Sequence, residues 1–400
     1  MGWRESEFME HLQTQVVIVG AGPAGLLLGR FLHQMGIAVV ILERRPMPYV
    51  LQRIRAGVLE SGSVSLLKAA GVAERLEREG QVHSGFKITF GEDQLRIDLA
   101  GLIDRVVTVY GQTEVTKDLY DAQQSDGYEL YDDVPDVQIT RLDTTRPQVL
   151  ATIEGRPSTV HCDWVVGCDG FHGVSRQTIP VHVRQEYERV YPFGWLGVLS
   201  ATPPVSHELI YASHDEGFAL CSMRSEELSR YYVQCPVDAD ISTWSDADFW
   251  TRLKAQLPPA VAAQLVTGPS IEKSVAPLRS FVCEPMQYQR LFLVGDAAHI
   301  VPPTGAKGLN LAFSDVHYLQ QAMGRFYLQQ DESGLRGYSA QALLRVWKAE
   351  RFSWWMTQLL HRFDDSTSFQ EKMRLAEFQY LVSSPRHQAT LAENYVGLPF

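Results

Sequence analysis

Near its start the chain carries Gln15-Val16-Val17-Ile18-Val19-Gly20-Ala21-Gly22-Pro23-Ala24-Gly25. An apolar run of strand length meets glycines at G-x-G-x-x-G spacing, and a helix-like run follows over residues 26–35. Gly20 permits a tight turn, Gly22 leaves the backbone open to a pyrophosphate, and Gly25 lets the helix pack close to the strand. The helix N-terminus offers free N–H groups and a partial positive charge to phosphates. A second apolar run, residues 38–42, ends in Glu43. A carboxylate there can accept from both hydroxyls of an adenosine ribose. Strand, turn, helix, strand and acid together point to a bound dinucleotide; a glycine turn without a ligand is the plainer alternative.

Two more apolar runs end in acid-bearing turns: Trp164-Val165-Val166-Gly167-Cys168-Asp169-Gly170, and Arg290-Leu291-Phe292-Leu293-Val294-Gly295-Asp296. In an open parallel sheet these ends converge on one carboxyl edge, where ligands lie. Asp296 can accept from ribityl hydroxyls. The helix opening at Gly308-Leu309-Asn310 aims its amides at whatever lies before it, and an anionic reduced flavin there gains roughly 0.3–2 kcal/mol. These features favour non-covalent FAD over NAD. No second G-x-G-x-x-G is present, so a nicotinamide donor must bind without a Rossmann domain of its own.

The elements that must hold these groups come from 400 residues, enough for two or three domains. No apolar run reaches the length of a membrane span. A formal charge of −11 argues against nucleic acid, and an anionic substrate then needs local arginines. Residues 1–12 are polar and acidic, without the apolar core of a signal peptide, and read as a flexible leader. The five cysteines lack C-x-x-C spacing and fall in apolar or strand-like runs, which predicts reduced, buried thiols in a cytoplasmic protein and no metal site.

The expected fold is mixed α/β. Residues 13–185 form a Rossmann-type FAD-binding domain with a parallel sheet, some of its strands contributing to the substrate region. Within it, alternation over residues 127–160 predicts a meander. Residues 186–282, rich in alternating aromatics, form an antiparallel substrate-binding sheet interrupted by a helix over residues 246–257. Residues 283–400 return to the first sheet and continue as helices to about residue 381, with an apolar stripe at Phe352, Trp355, Met356, Leu359, Leu360 and Phe363.

Taken in order, these motifs resemble the single-component flavoprotein aromatic hydroxylases, from about Thr14 to the C-terminus. The carrying stretches are Arg53-Ile54-Arg55-Ala56-Gly57-Val58-Leu59-Glu60, Val109-Tyr110-Gly111-Gln112-Thr113-Glu114-Val115-Thr116, Gly167-Cys168-Asp169-Gly170-Phe171-His172-Gly173, Tyr191-Pro192-Phe193-Gly194-Trp195-Leu196-Gly197, residues 295–311, and Glu393-Asn394-Tyr395-Val396-Gly397-Leu398-Pro399. The chain departs from the pattern before Thr14, at Arg45, and in ending at Phe400.

The resemblance implies that reduced FAD reacts with O2 to give a C4a-hydroperoxide that hydroxylates a phenol ortho to its hydroxyl. It is strongest to members acting on 4-hydroxybenzoate, which yield 3,4-dihydroxybenzoate with NADPH. It assigns Arg224, Ser222 and Tyr232 to the substrate carboxylate, and Trp195, Leu209 and Leu220 to the ring. Tyr211 meets the phenol, Tyr395 stands beside it, and His83 continues a proton path to solvent. The Pro303 carbonyl and Lys307 border the ring and tune charge. Arg53, Arg55, Gln112 and Arg230 become flavin contacts, with Arg230 also assisting a swing of the isoalloxazine. Arg44, Arg45, Tyr49, His172, Arg176 and Arg279 are assigned to NADPH, and a homodimer is the family expectation. Two alternatives stay open: a related flavin hydroxylase of another substituted benzoate, and a non-catalytic FAD-binding protein.

Overall fold

In the computed structural model, which describes residues 10–52 and 57–400, the run before the glycine turn is the strand Val16–Val19, buried throughout. It pairs in parallel with Trp164–Gly167 on one side and Val39–Leu42 on the other. Leu291–Leu293 adds beyond the first and Glu129–Tyr131 beyond the second, while Gln287–Tyr288 closes one edge antiparallel. Strand register places Val19, Gly167 and Leu293 side by side, so the three ends do meet on one edge. Gly20 has φ +108°, and a Cβ on it would stand 2.3 Å from the Cys168 carbonyl oxygen. A Cβ on Gly25 would stand 2.0 Å from the Gly20 carbonyl oxygen. Only glycine fits either place. Helix Pro23–Gln34 starts with proline, whose missing N–H is not needed there, and packs against helices Gln112–Asp126 and Gly308–Gln329.

The second sheet has eight strands, in the order His299–Ile300, Ser270–Glu284, Gln185–Ser200, Leu228–Pro236, Gly217–Ser225, Ile210–His214, Gly85–Phe90 and Asp93–Asp98. Alternation sorts its residues by face. Leu196, Val198, Ile210, Ala212, Ala219, Cys221, Tyr231 and Val233 pack with Phe249, Trp250 and Leu253 of helix Asp246–Gln256 into one core. Trp195, Leu209, Tyr211, Phe218 and Leu220 point the other way, toward Tyr395 and the C-terminal helices. That second face is the one the substrate assignments fall on.

Several boundaries differ from those expected. The strands that residues 13–185 lend to the substrate sheet are the two within residues 85–98; beyond the expected bounds, the sheet also takes one from 299–300, and its long strands run over Gln185–Ser200 and Ser270–Glu284. Glu129–Tyr131 joins the parallel sheet instead of the meander, which comprises Val137–Thr140, Gln148–Ile153 and Arg156–His161. Residues 1–9 of the expected leader lie outside the described residues, but Glu10–Gln13 is a strand pairing in parallel with Arg156–His161. The edge of Arg156–His161 that Gln148–Ile153 leaves open supplies the backbone partners that a polar segment needs to stay ordered. Helices Ser333–Leu360, Ser368–Ser383 and Pro385–Val396 carry the chain beyond the expected end of helix at residue 381. Among the described residues no helix is long and apolar enough to cross a membrane, and the five cysteines are free thiols, four of them buried.

Candidate active site

At the carboxyl edge of the parallel sheet, Glu43 Oε2 accepts from the Ala21 amide at 2.7 Å and Oε1 from the Arg45 amide at 2.9 Å. The acid that ends the second strand is thus tied directly to the glycine turn, with lone pairs remaining for ribose hydroxyls. A Cβ on Gly22 would meet nothing within 4 Å, so the turn faces open space. Asp169 Oδ2 accepts from the Ser175 amide at 2.9 Å, while its buried Oδ1 has no hydrogen-bond partner. Burial pushes the Asp169 pKa up, against the opposing hydrogen bonds of Ser175. An open glycine cradle, a tethered acid and an orphaned carboxylate oxygen fit a dinucleotide with hydroxyls to donate.

Asp296 sits on the short helical turn Gly295–Ala297. That turn is held from behind by Asp315, whose Oδ2 accepts from the Gly295 amide at 2.9 Å and lies 2.6 Å from His299 Nε2. Burial opposes a charge on His299, but Asp315 outweighs it and raises the His299 pKa. In helix Gly308–Gln329 the first intrahelical bond is from Leu311 to the Lys307 carbonyl, so the amides of Gly308, Leu309 and Asn310 precede the ladder. The Asn310 side chain, however, is spent internally: Oδ1 accepts from the Glu60 amide and Ser63, and Nδ2 donates to the Val58 and Ala306 carbonyls. Only its backbone is available to a cofactor.

On the open face of the eight-stranded sheet, Tyr211 stands opposite Leu220, Leu220 opposite Tyr232, and Ser222 opposite Arg230. Tyr211 Oη and Tyr395 Oη are 2.9 Å apart, and both rings are buried. Burial pushes both phenol pKa values up. Phe86 packs edge-on to Tyr211 and stacks on Tyr395. Ser222 Oγ donates only a long 3.3 Å bond to the Met223 carbonyl. Arg224 follows at an irregularity between Met223 and Ser225, a place where a strand re-aims its side chain. Its buried Nε has no partner, and burial lowers its pKa while Tyr232 counters the shift. A buried guanidinium Nε without a partner, on a side chain next to Tyr232 and two residues from Ser222, fits an incoming carboxylate.

Arg230 is 3.1 Å from Glu272 Oε1, donates to Ser274 Oγ at 2.9 Å, and lies 5.1 Å over the Tyr232 ring. Lys307 Nζ donates to Glu60 Oε1 at 2.6 Å and to the Tyr395 carbonyl at 2.8 Å. Glu60 Oε2 also meets Arg345 at 3.0 Å, and Arg345 binds the carbonyls of Leu398 and Pro399. This buried cluster ties the helix at Gly308 to the C-terminal segment carrying Tyr395. Burial lowers the Lys307 pKa, and Glu60 opposes that shift. Pro303 opens a helical turn and its carbonyl accepts from the Ala306 amide at 3.0 Å.

Other expected residues are placed less simply. Arg53 and Arg55 lie outside the described residues. Gln112 begins helix Gln112–Asp126. Arg44, Arg45 and Tyr49 are exposed, with Arg45 5.4 Å over the Tyr49 ring, and His172 is exposed on the turn after Asp169. Arg176 is turned inward: it donates to the Ala297 and Phe171 carbonyls at 3.1 and 2.8 Å and pairs with Glu186 at 3.3 Å. Its two Nη groups are engaged with the backbone around Phe171, while its buried Nε has no hydrogen-bond partner. Arg279 also lies over Phe171, at 4.6 Å, and pairs with Glu188 at 3.1 Å. His83, expected on a path to solvent, is 1 % exposed, and neither ring nitrogen has a hydrogen-bond partner. Burial first, and His207 second, lower its pKa to about 4. Sequence reasoning missed Glu60, Asp315 and Glu272 as supports, and also His361, which accepts from the Trp195 indole; each acts through a partner on another element, and spacing carries no signal for such pairs.

A family model described as FAD binding domain matches residues 13–353. The chain belongs to the FAD-binding family of flavoprotein hydroxylases. Within this family it is 54% identical, over 98% of its length and 97% of the relative's, to p-hydroxybenzoate hydroxylase of Acinetobacter baylyi. It is 23% identical, over 84% of its length and 59% of the relative's, to 3-(3-hydroxy-phenyl)propionate/3-hydroxycinnamic acid hydroxylase of Escherichia coli. The flavoprotein hydroxylase fold recurs in the solved p-nitrophenol 4-monooxygenase of Pseudomonas putida, with a TM-score of 0.76 at 18% identity, covering 98% of this chain and 100% of that one.

Proposed function

We propose that this chain is an FAD-dependent monooxygenase that converts 4-hydroxybenzoate to 3,4-dihydroxybenzoate with NADPH and O2. The observation that carries the reading is a sheet face with two different polar ends. Arg224, with an unpaired buried Nε on a side chain next to Tyr232 and two residues from Ser222, suits a carboxylate, and Tyr211, hydrogen-bonded to Tyr395, suits a phenol. Trp195, Leu209 and Leu220 give that face its apolar ring contacts. The identity to the Acinetobacter baylyi relative supports the same substrate.

Gly20, Gly22, Gly25, Glu43, Asp169, Asp296 and the amides at residues 308–310 would hold the FAD. The bound flavin supplies passage of two electrons from NADPH and activation of O2. One oxygen atom is inserted into the C3–H bond to give a hydroxyl and the other leaves as water, as NADPH gives up a hydride to become NADP+ and one proton is taken up from solvent. The protein's part is to orient and to ionise. Arg224 fixes the carboxylate, so the ring carbon beside the phenol is the one presented for oxygen transfer. Tyr211 hydrogen-bonds the phenol oxygen and Tyr395 bonds Tyr211, which opens a route for the phenol proton. The departing proton leaves negative charge that activates the ortho carbon. Arg44, Arg45 and Tyr49 are assigned to the 2′-phosphate of NADPH, with His172 and Arg279 near its other parts. Arg176 is assigned with them to NADPH, from its place beside Phe171.

A homodimer is part of this reading, supported by Trp354, Phe369, Met373 and Tyr380, all exposed on the C-terminal helices. Light scattering on purified protein tests it. A cytoplasmic location is likewise part of the reading, supported by the five free thiols. The activity is tested by following NADPH oxidation with and without 4-hydroxybenzoate and identifying the product by chromatography. Stimulated oxidation with formation of 3,4-dihydroxybenzoate is expected. Oxidation that yields no aromatic product, or that responds to another benzoate instead, would remove this assignment.

A further inference from the structure

His83 ends the strand Gln81–His83, is almost fully buried, and has no hydrogen-bond partner for either ring nitrogen among the described residues. An unpaired buried polar group forfeits its hydration without recompense, and an orphan of this kind in a native fold calls for a reason. The ring against it is His207, which is exposed; the two centroids are 5.0 Å apart and the planes tilted by 50°. Two imidazoles joined by an N–H···N bond of about 2.9 Å have their centres about 5 Å apart. The two rings therefore stand at bonding distance and need only reorient.

The charged groups nearby do not offer another exit. Glu208 acts on His83, but both its oxygens are held by Arg96, at 2.7 and 2.8 Å. Arg96 reaches on to Ser84 Oγ at 3.2 Å, and Lys87 lies close enough to act on Glu208. An arginine does not release a proton at working pH. Histidine is the residue type that exchanges protons near neutrality.

We propose that His207 is the solvent-side station of the proton path, taking the proton from His83 and delivering it to water. The proposal rests on the reading that the phenol proton leaves through Tyr211, Tyr395 and His83. Its physical basis is the burial of His83. A ring whose pKa lies near 4 holds a proton only briefly at neutral pH, so a next acceptor must be within reach. A side chain with one face against His83 and the other in solvent meets that need. In each event the phenol O–H breaks, the electron pair stays on oxygen, and the proton passes along the chain of hydrogen bonds to water. As His207 acts through His83 and touches no substrate, it is a positioning and relay residue.

The test mixes FAD-loaded enzyme with 4-hydroxybenzoate in weak buffer and follows proton release with an indicator dye, for wild type, His207→Gln and His83→Asn. His207→Gln is expected to keep FAD and substrate affinity but to slow proton release about tenfold or more, with added imidazole restoring the rate. Release at the wild-type rate in His207→Gln, or a slowed rate that imidazole does not restore, overturns the proposal. If His83→Asn is slow while His207→Gln is not, the path through His83 stands and only His207 is removed. If both variants release at the wild-type rate, the path itself is wrong.

Discussion

The indole Nε1 of Trp195 donates to Nε2 of His361 at 2.7 Å, on a ring with no exposed surface. Nδ1 of His361 is 3.1 Å from the Thr357 carbonyl, so the two partners assign the proton to Nδ1 and leave Nε2 as acceptor. Phe193 and Phe218 pack on the same ring, at 4.7 and 4.3 Å between centres. Burial holds the His361 pKa to about 3. The unfolded chain protonates this group below about 6.5, whereas the native protein does not until about 3. The contribution is therefore complete above pH 6.5 and is lost as pH falls toward 3; at pH 4.5 the loss is about 3 kcal/mol. Nuclear magnetic resonance on histidine-labelled protein should show His361 unchanged from pH 7 to 4.5. A titration midpoint near 6.5 would contradict this, and would also undo the anchoring of Trp195.

Removing the Tyr211 hydroxyl keeps the ring and so most of the packing against Phe86 and Tyr395. Tyr211→Phe is expected to bind 4-hydroxybenzoate and still oxidise NADPH, but to turn O2 into hydrogen peroxide more often than into product. Peroxide and 3,4-dihydroxybenzoate formed per NADPH measure the split. Coupling equal to wild type, with the bound phenol ionising at the same pH, would rule out Tyr211 as the first proton carrier.

Arg224→Lys keeps the charge and loses the planar fork. A carboxylate left imperfectly paired in this buried place costs several kcal/mol. Substrate affinity measured by flavin absorbance should fall by about two orders of magnitude or more, since each 1.4 kcal/mol is tenfold, while FAD content stays unchanged. Near-normal affinity would place the carboxylate elsewhere.

Arg44 and Arg45 are exposed, and Arg45 is stacked over Tyr49, an arrangement suited to a phosphate arriving from solvent. Replacing both by Gln should raise the KM for NADPH and leave that for NADH nearly unchanged, with kcat preserved. The expected rise is about tenfold, in line with the loss of one or two charge-assisted hydrogen bonds. An equal rise for both donors would show that the pair does not read the 2′-phosphate.

What could be read from the sequence alone was what is local in the chain. The turn at residues 20–25, the acid at Glu43 and the three strand ends follow from backbone demands that leave a mark within a few residues, and each stands where expected. The substrate face was legible as alternating strands, but Ser222, Arg224, Tyr211 and Tyr395 acquired roles only through family resemblance, because no periodicity marks which polar residue meets a ligand. Tertiary structure decided the rest. It extended the substrate sheet with strands from residues 85–98 and 299–300, since hydrogen-bond pairing between distant segments depends on the closed fold. It satisfied the Asn310 side chain and turned Arg176 inward, because buried donors and acceptors must find partners wherever the fold offers them. It also joined Glu60 to Lys307, Trp195 to His361 and His207 to His83, pairs 247, 166 and more than one hundred residues apart. Contacts at such separation arise only when packing has brought both partners together, and the order of residues along the chain holds no record of them.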